Sequence, residues 1–435
     1  MCGRWNTLTA TKGHLHAAVS PVCSRLNAVA SRISALRAKT VNTLKCQRCQ
    51  VPIKPGDVYN ESQISRISNR IRELAFLREG KPYEIVFSEK ETNLYLYLES
   101  KKASQFDGVI GVLPDNDNPG KVNLTGEVHL KLQNSLKRGE IIELNWKQLP
   151  AKTQDLKVHG LYPFVFNTPL GVDASLSIYK KDTTYLDVIK NLGIQYAFTG
   201  NNFIKAFVNN KQSSLLNTTG LKNATVLPPY ADITINSYGL SGHYEKLDYR
   251  FNPRKGILLD GLGSVGTRVI SKNADLDENH LYDSLLLSST QYNVEFSGDY
   301  FLSLGQRSVL DIGNMSGWIY GPDIFTNELF RIGGLKSLRG FDEESIYASL
   351  YTIGKIEYRY LLEQNSFLFL FMNAAYVRDE SRGKYIYDDP YGFGAGIDFE
   401  TKIGIMSLNY ALGKQFDNPV YFRNAKVHFG IVNYF

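Results

Sequence analysis

Beyond Ser104 apolar and polar residues alternate almost one for one to the end of the chain, a period of two that strands satisfy and helices do not. Val122, Leu124, Val128, Leu130 and Leu132 alternate with Asn123, Thr125, Glu127, His129 and Lys131, and Tyr292, Val294, Phe296 and Tyr300 with Asn293, Glu295 and Asp299. The alternating segments run to roughly ten residues or more, against ~5 to 6 in a soluble sandwich and ~9 to 11 in a tilted strand that crosses a bilayer. Sixteen segments are predicted, centred near residues 110, 127, 143, 159, 175, 192, 206, 238, 262, 295, 311, 356, 371, 396, 408 and 429. An even count suits a closed transmembrane barrel. The connections after every second strand, such as 133–139, 304–307 and 363–366, are short, and the interleaved ones, such as 210–230 and 320–348, are mostly longer, so the two rims differ. The fold class expected is all-β, a 16-stranded transmembrane antiparallel barrel. The 27 Tyr, 23 Phe and 36 Gly suit strands with one greasy and one wet face. The longest apolar run, Phe367 to Met372, is far shorter than the ~18 residues of a membrane helix.

The formal charge of +6 does not point to nucleic acid, because it is confined to one end: residues 1–50 hold eight Lys/Arg and no acid, and the rest of the chain is net acidic. All four cysteines, Cys2, Cys23, Cys46 and Cys49, lie there too. Cys46 to Cys49 has C-x-x-C spacing without a second pair, so no metal site is expected. Residues 1–50 read as an atypical basic leader, either a segment foreign to the domains after it or a targeting segment. Residues 51–104 are predicted to form a small α+β unit. A helix bearing Ile64, Ile67, Ile71 and Leu74 ends near Arg78 to Gly80, followed by strands Tyr83 to Phe87 and Asn93 to Leu98. Gly261 to Gly266 matches G-x-G-x-x-G, but an extended run follows where a dinucleotide site needs a helix, so no cofactor is expected. The seven histidines are scattered and no G-x-S-x-G elbow occurs. A hydrolase assembled from Ser and His across strands is a further alternative, though no spacing asks for it.

In the long connection before the strand near 356, Leu338-Arg339-Gly340-Phe341 resembles the (V/I/L)-R-G-(F/Y) signature of loop six in the BamA-type barrel superfamily of outer-membrane assembly and translocation proteins. Gly392 to Phe399, with Gly404 and Leu408 to Tyr410, is similar to that family's penultimate hairpin. The unit at 51–104 resembles the later part of a POTRA, the family's periplasmic polypeptide-binding domain, with the first strand and helix unmatched. The last eight residues, with Gly430 and Phe435, resemble a β-signal, although Asn433 stands where an apolar residue is expected.

The resemblance implies an integral protein of the bacterial outer membrane, not an enzyme, with residues 105–435 forming the barrel. It would insert or translocate client outer-membrane or secreted polypeptides through a weak seam between the first strand (Phe106 to Leu113, with Gly108 and Gly111) and the last (Ala425 to Phe435, with Gly430). Membrane lipid and accessory assembly subunits would be its other partners. The alternative is a passive export or solute pore of the same architecture. Loop six would descend into the lumen and place Arg339 near two inward carboxylates, Asp398 and Glu357. Asp398 is the favoured partner, since Lys355 or Arg359 can satisfy Glu357.

Overall fold

A computed structural model describes residues 33–38, 58–64, 67–68, 71, 76–87, 92–100, 103–114, 122–198, 201–218, 226–273, 281–416 and 418–434. The four cysteines and Phe435 lie outside the described residues.

Near the N-terminus a three-stranded sheet has the order β1 (Ile33–Ala38), β3 (Thr92–Ser100), β2 (Leu77–Phe87), with a helical turn α1 (Glu61–Ile64) between β1 and β2 in the chain. Ile64, Ile67 and Ile71 are buried against Leu94, Leu96 and Leu98, the apolar positions of both periodic patterns. One expectation is corrected by this sheet. The helix does not reach Arg78: β2 begins at Leu77, which pairs with Ser100, and Pro82 a few residues on denies a helix its amide donor. The sheet also holds a strand not foreseen from the sequence: residues of the basic leader supply it, with Leu36, Arg37 and Ala38 in parallel register with Leu94, Tyr95 and Leu96, covering the edge that β3 would otherwise expose.

Sixteen strands then close into a barrel. They are β4 (Gln105–Pro114), β5 (Val122–Gln133), β6 (Ile141–Gln148), β7 (Gln154–Tyr162), β8 (Leu170–Lys181), β9 (Tyr185–Ala197), β10 (Phe203–Leu215), β11 (Asp232–Leu247), β12 (Gly256–Ser271), β13 (Ser288–Ser303), β14 (Ser308–Tyr320), β17 (Leu350–Glu363), β18 (Ser366–Asp379), β20 (Tyr391–Thr401), β21 (Gly404–Lys414) and β22 (Lys426–Tyr434). Each predicted centre falls inside one of them. Short strands β15 (Phe330–Ile332) and β16 (Ile346–Ala348) pair within the connection after β14, and β19 (Ile386–Asp388) pairs with the end of β18. Every barrel strand is antiparallel to its neighbours and β22 returns to β4, so backbone groups facing hydrocarbon are paired within the ring. The glycines at 261–266 lie inside β12, as a strand reading of that motif requires.

The inside–outside alternation follows the pleat. On β18, Leu368, Leu370 and Met372 are exposed toward lipid while Phe367, Phe369 and Phe371 are buried inward, which explains the longest apolar run: both faces of this strand are covered. On β13, Val294 and Phe296 are exposed outward, and Asn293 donates to Glu295 at 2.9 Å on the lumenal side. Val294→Arg is therefore expected to destabilise by ~2 to 4 kcal/mol if the site is near the bilayer midplane, and Asn293→Arg far less. Equal losses in a urea titration would contradict this register.

Among the described residues, none before Gln105 belongs to a strand of the ring. Deleting residues 1–49 is expected to leave heat-modifiable mobility on a cold detergent gel intact, with any loss of order confined to the three-stranded sheet.

Candidate functional site

The connection between β14 and β17 (residues 321–349) folds inward and touches strands around much of the ring. Its root is held by buried polar groups. Arg268 on β12 is fully buried and grips Glu328 with two bonds, Nε to Oε2 at 2.6 Å and Nη2 to Oε1 at 2.8 Å. The same carboxylate accepts from Gln291 Nε2 and from the Phe325 amide, while Arg268 also donates to the Asp323 carbonyl. Asn327, fully buried, donates to Ser213 Oγ at 2.6 Å and to the Ala231 carbonyl at 2.8 Å. Arg331 lies 3.6 Å from the Tyr179 ring centroid and bonds Glu344 at 3.2 Å. A bidentate guanidinium–carboxylate pair with further donors on the same oxygens is the arrangement in which a buried charge pair is tolerated.

Beyond the root, the β15–β16 hairpin presents the tip. Leu338 and Phe341 are buried in an apolar cluster with Ile332, Ile346, Ile353 and Val377. Gly340 takes φ +99° and its α-carbon abuts the Leu412 carbonyl of β21, leaving no room for a side chain. Gly392 of β20 likewise receives the Arg339 carbonyl in direct contact. These close approaches set the height at which the tip seats.

At that height Arg339 is buried. Its Nη1 donates to Glu357 Oε2 at 2.6 Å, its Nε to Asn373 Oδ1 at 3.1 Å, and its guanidinium lies 3.6 Å from the centroid of Phe371. Glu357 is shared: its other oxygen accepts from Arg359 Nε at 2.7 Å, and Arg359 reaches on to Asp311 Oδ2 at 2.8 Å. Lys355, expected as a competitor for Glu357, instead contacts Asp299 and Asp311.

Asp398 is not the partner, contrary to the preference drawn from sequence. The Arg339 guanidinium stacks on Phe371, whose register partner on β20 is Gly394, and Asp398 lies four residues further along, level with Phe367, ~13 Å at ~3.3 Å per residue. Glu357 pairs in register with Phe371, the ring on which Arg339 stacks. Asp398 is held near Ser407, its register partner on β21.

At the seam, β4 and β22 pair without interruption from Val112↔Val427 to Gln105↔Tyr434. A side chain at Gly111 would collide with Thr125 Oγ1, so glycine there lets Thr125 and the buried His428 meet across the join. Gly108 and Gly430 have only ordinary contacts around them. Short pairing is not special to the seam, since β21–β22, β5–β6 and β6–β7 are also short, whereas β11 and β12 pair along their full length. At the short-turn rim a cavity of about 510 Å³ opens between Phe76 and lumenal Glu143, His159, Asp173, Lys205 and His243.

The alternation singled out Glu357 and the motif singled out Arg339, but the root escaped sequence reasoning. The one available signal was Arg268 itself, a charge between outward Val265 and Val269 that had to face the lumen and required a partner there.

A family model described as "Omp85 superfamily domain" matches residues 170–435. Among solved structures, the chain resembles CdiB from Acinetobacter baumannii (TM-score 0.61, 14% identity, covering 93% of this chain and 74% of that one). It also resembles BamA from Haemophilus ducreyi lacking POTRA domains 1–3 (0.56, 13%, 92% and 84%) and CdiB from Escherichia coli (0.58, 15%, 93% and 77%). A comparison with curated protein sequences finds no match.

Proposed function

Because the chain belongs to the Omp85 superfamily, as an integral outer-membrane β-barrel without enzymatic chemistry, we propose that it inserts or translocates client polypeptides by lending them the strand edges at its seam. Clients would be outer-membrane or secreted polypeptides, with lipid and accessory assembly subunits as further partners. The observation that carries this reading is the combination of a closed barrel whose first and last strands join by β4–β22 pairing with a loop that enters the lumen and seats Arg339 on β17 and β18. A lumen crossed by buried ion pairs is poorly suited to steady diffusion of solutes. An opened seam, by contrast, exposes two rows of backbone donors and acceptors. A client strand pairing there satisfies its own backbone groups, each of which costs several kcal/mol if left bare in hydrocarbon.

The test uses lipid vesicles with the reconstituted full chain and an unfolded eight-stranded outer-membrane barrel as probe. Folding of the probe should be faster than in empty vesicles. A disulfide across the register pair Asp107 and Val432 (Asp107→Cys with Val432→Cys, the four native cysteines replaced by serine) should abolish the gain, and reduction should restore it. Unchanged probe folding together with a large steady conductance in planar bilayers would replace this reading with a pore.

A further inference from the structure

The charged side chains around the loop tip face in two directions, and together they straddle the seam. On one side Asp342 meets Lys426 at 2.6 Å, at the start of the last strand, β22. Lys426 is buried, and the contact is a charge pair without an aligned hydrogen bond. On the other side Lys336 donates to Glu127 of β5 at 2.6 Å, and Lys147 of β6 lies within 4.0 Å of both Glu343 and Glu344. In the ring the order is β21, β22, β4, β5, β6, so the first strand lies between the two attachments. The backbone of the tip meanwhile rests on β20 and β21 through Gly392 and Leu412.

We infer that the tip of loop six is an electrostatic strap that holds the seam shut, with Asp342–Lys426 as its fastening on the last strand and Lys336–Glu127, supported by Lys147, as its fastening beyond the first. The inference rests on the proposed use of the seam, and it adds a cause for closure that strand pairing alone does not supply. To part β4 from β22, one set of fastenings must break while the tip stays with the other. The two sets are unequal. Lys426 is buried and meets Asp342 at 2.6 Å, whereas on the other side the Lys336 side chain is 61% exposed and Lys147 approaches Glu343 and Glu344 only at 4.0 and 3.9 Å. An exposed pair is weak and screened by salt, so Lys336–Glu127 is the fastening that yields first. The strap then stays on β22 and releases the β4–β5 side.

Hydrogen exchange of the full chain in lipid nanodiscs, read by mass spectrometry, tests this without any client. Asp342→Lys places two like charges at the last strand and is expected to speed exchange in Lys426–Tyr434 and Gln105–Pro114 roughly tenfold, with Lys426→Asp in the same chain reversing the effect. Lys336→Glu, at a side chain 61% exposed, is expected to raise the same amides about two- to threefold, and high salt to do so in the unmodified chain. Seam exchange unmoved by Asp342→Lys and Lys336→Glu alike, or an Asp342→Lys increase that persists in the double variant, overturns the strap. Assembly of the eight-stranded probe is measured on the same samples. Intact assembly beside an unresponsive seam rejects the strap alone, and a responsive seam in a chain that assembles nothing rejects the proposed function while leaving the strap in place.

Discussion

Glu328→Ala is expected to destabilise the barrel by ~3 to 5 kcal/mol, read as a shift of the urea midpoint in detergent or vesicles. The substitution removes the carboxylate that neutralises Arg268 in a site from which both side chains exclude water. Arg268 would keep the Pro322 and Asp323 carbonyls, but a guanidinium with only carbonyl partners remains an uncompensated buried charge. Gln291 and the Phe325 amide would lose their acceptor as well. Replacing both charges at once, Arg268→Met with Glu328→Leu, is expected to recover most of the loss, because an apolar pair of similar volume avoids the desolvation cost of two ions. Were the double variant as unstable as Glu328→Ala, the root would be held by shape rather than by charge.

The second large effect is an asymmetry between the two ends of the tip ion pair. Glu357→Ala deprives both Arg339 and Arg359 of a carboxylate and is expected to cost ~3 to 5 kcal/mol. Arg339→Ala leaves Glu357 bonded to Arg359, so the loss should be smaller, ~1.5 to 3 kcal/mol for a charged hydrogen bond. Its effect on client assembly should nevertheless be at least as great, because only Arg339 belongs to the loop. Arg339→Lys is not expected to rescue, since lysine cannot bond Asn373 and Glu357 together while stacking on Phe371. A double-mutant cycle on Arg339 and Glu357 with no coupling energy would show that the 2.6 Å contact is incidental.

The barrel was legible because its signal is local. A strand in the bilayer must alternate along its own length, so Val294 and Asn293, or Ile356 and Glu357, declare their faces with no knowledge of neighbours. The run Phe367 to Met372 broke that rule and was read only as too short for a helix, since nothing local says that Val309, Leu361 and Ala411 of other strands and Arg339 of the loop will cover its inner face. The start of β2 and the strand at Ile33–Ala38 were misjudged for the opposite reason: there the choice of state was made by pairing with β3 rather than by the segment itself.

The sequence by itself determined the strand count, the lumenal set of charges and the arginine that would need a carboxylate, because pleat and motif are properties of contiguous residues. Only the tertiary structure decided which charges meet. Asp398 and Glu357 both read as inward carboxylates, with Asp398 favoured, until the contacts of Gly340 with Leu412 and of Gly392 with Arg339 set the depth of the loop, placing Glu357 within bonding distance and leaving Asp398 four residues along β20 from the level of Phe371. Arg268 and Glu328, sixty positions apart, were joined in the same way, by the return of a long loop into the ring. An ion pair depends on distances of a few ångströms, and those follow from how the closed barrel and its inserted loop pack, which no period along the chain encodes.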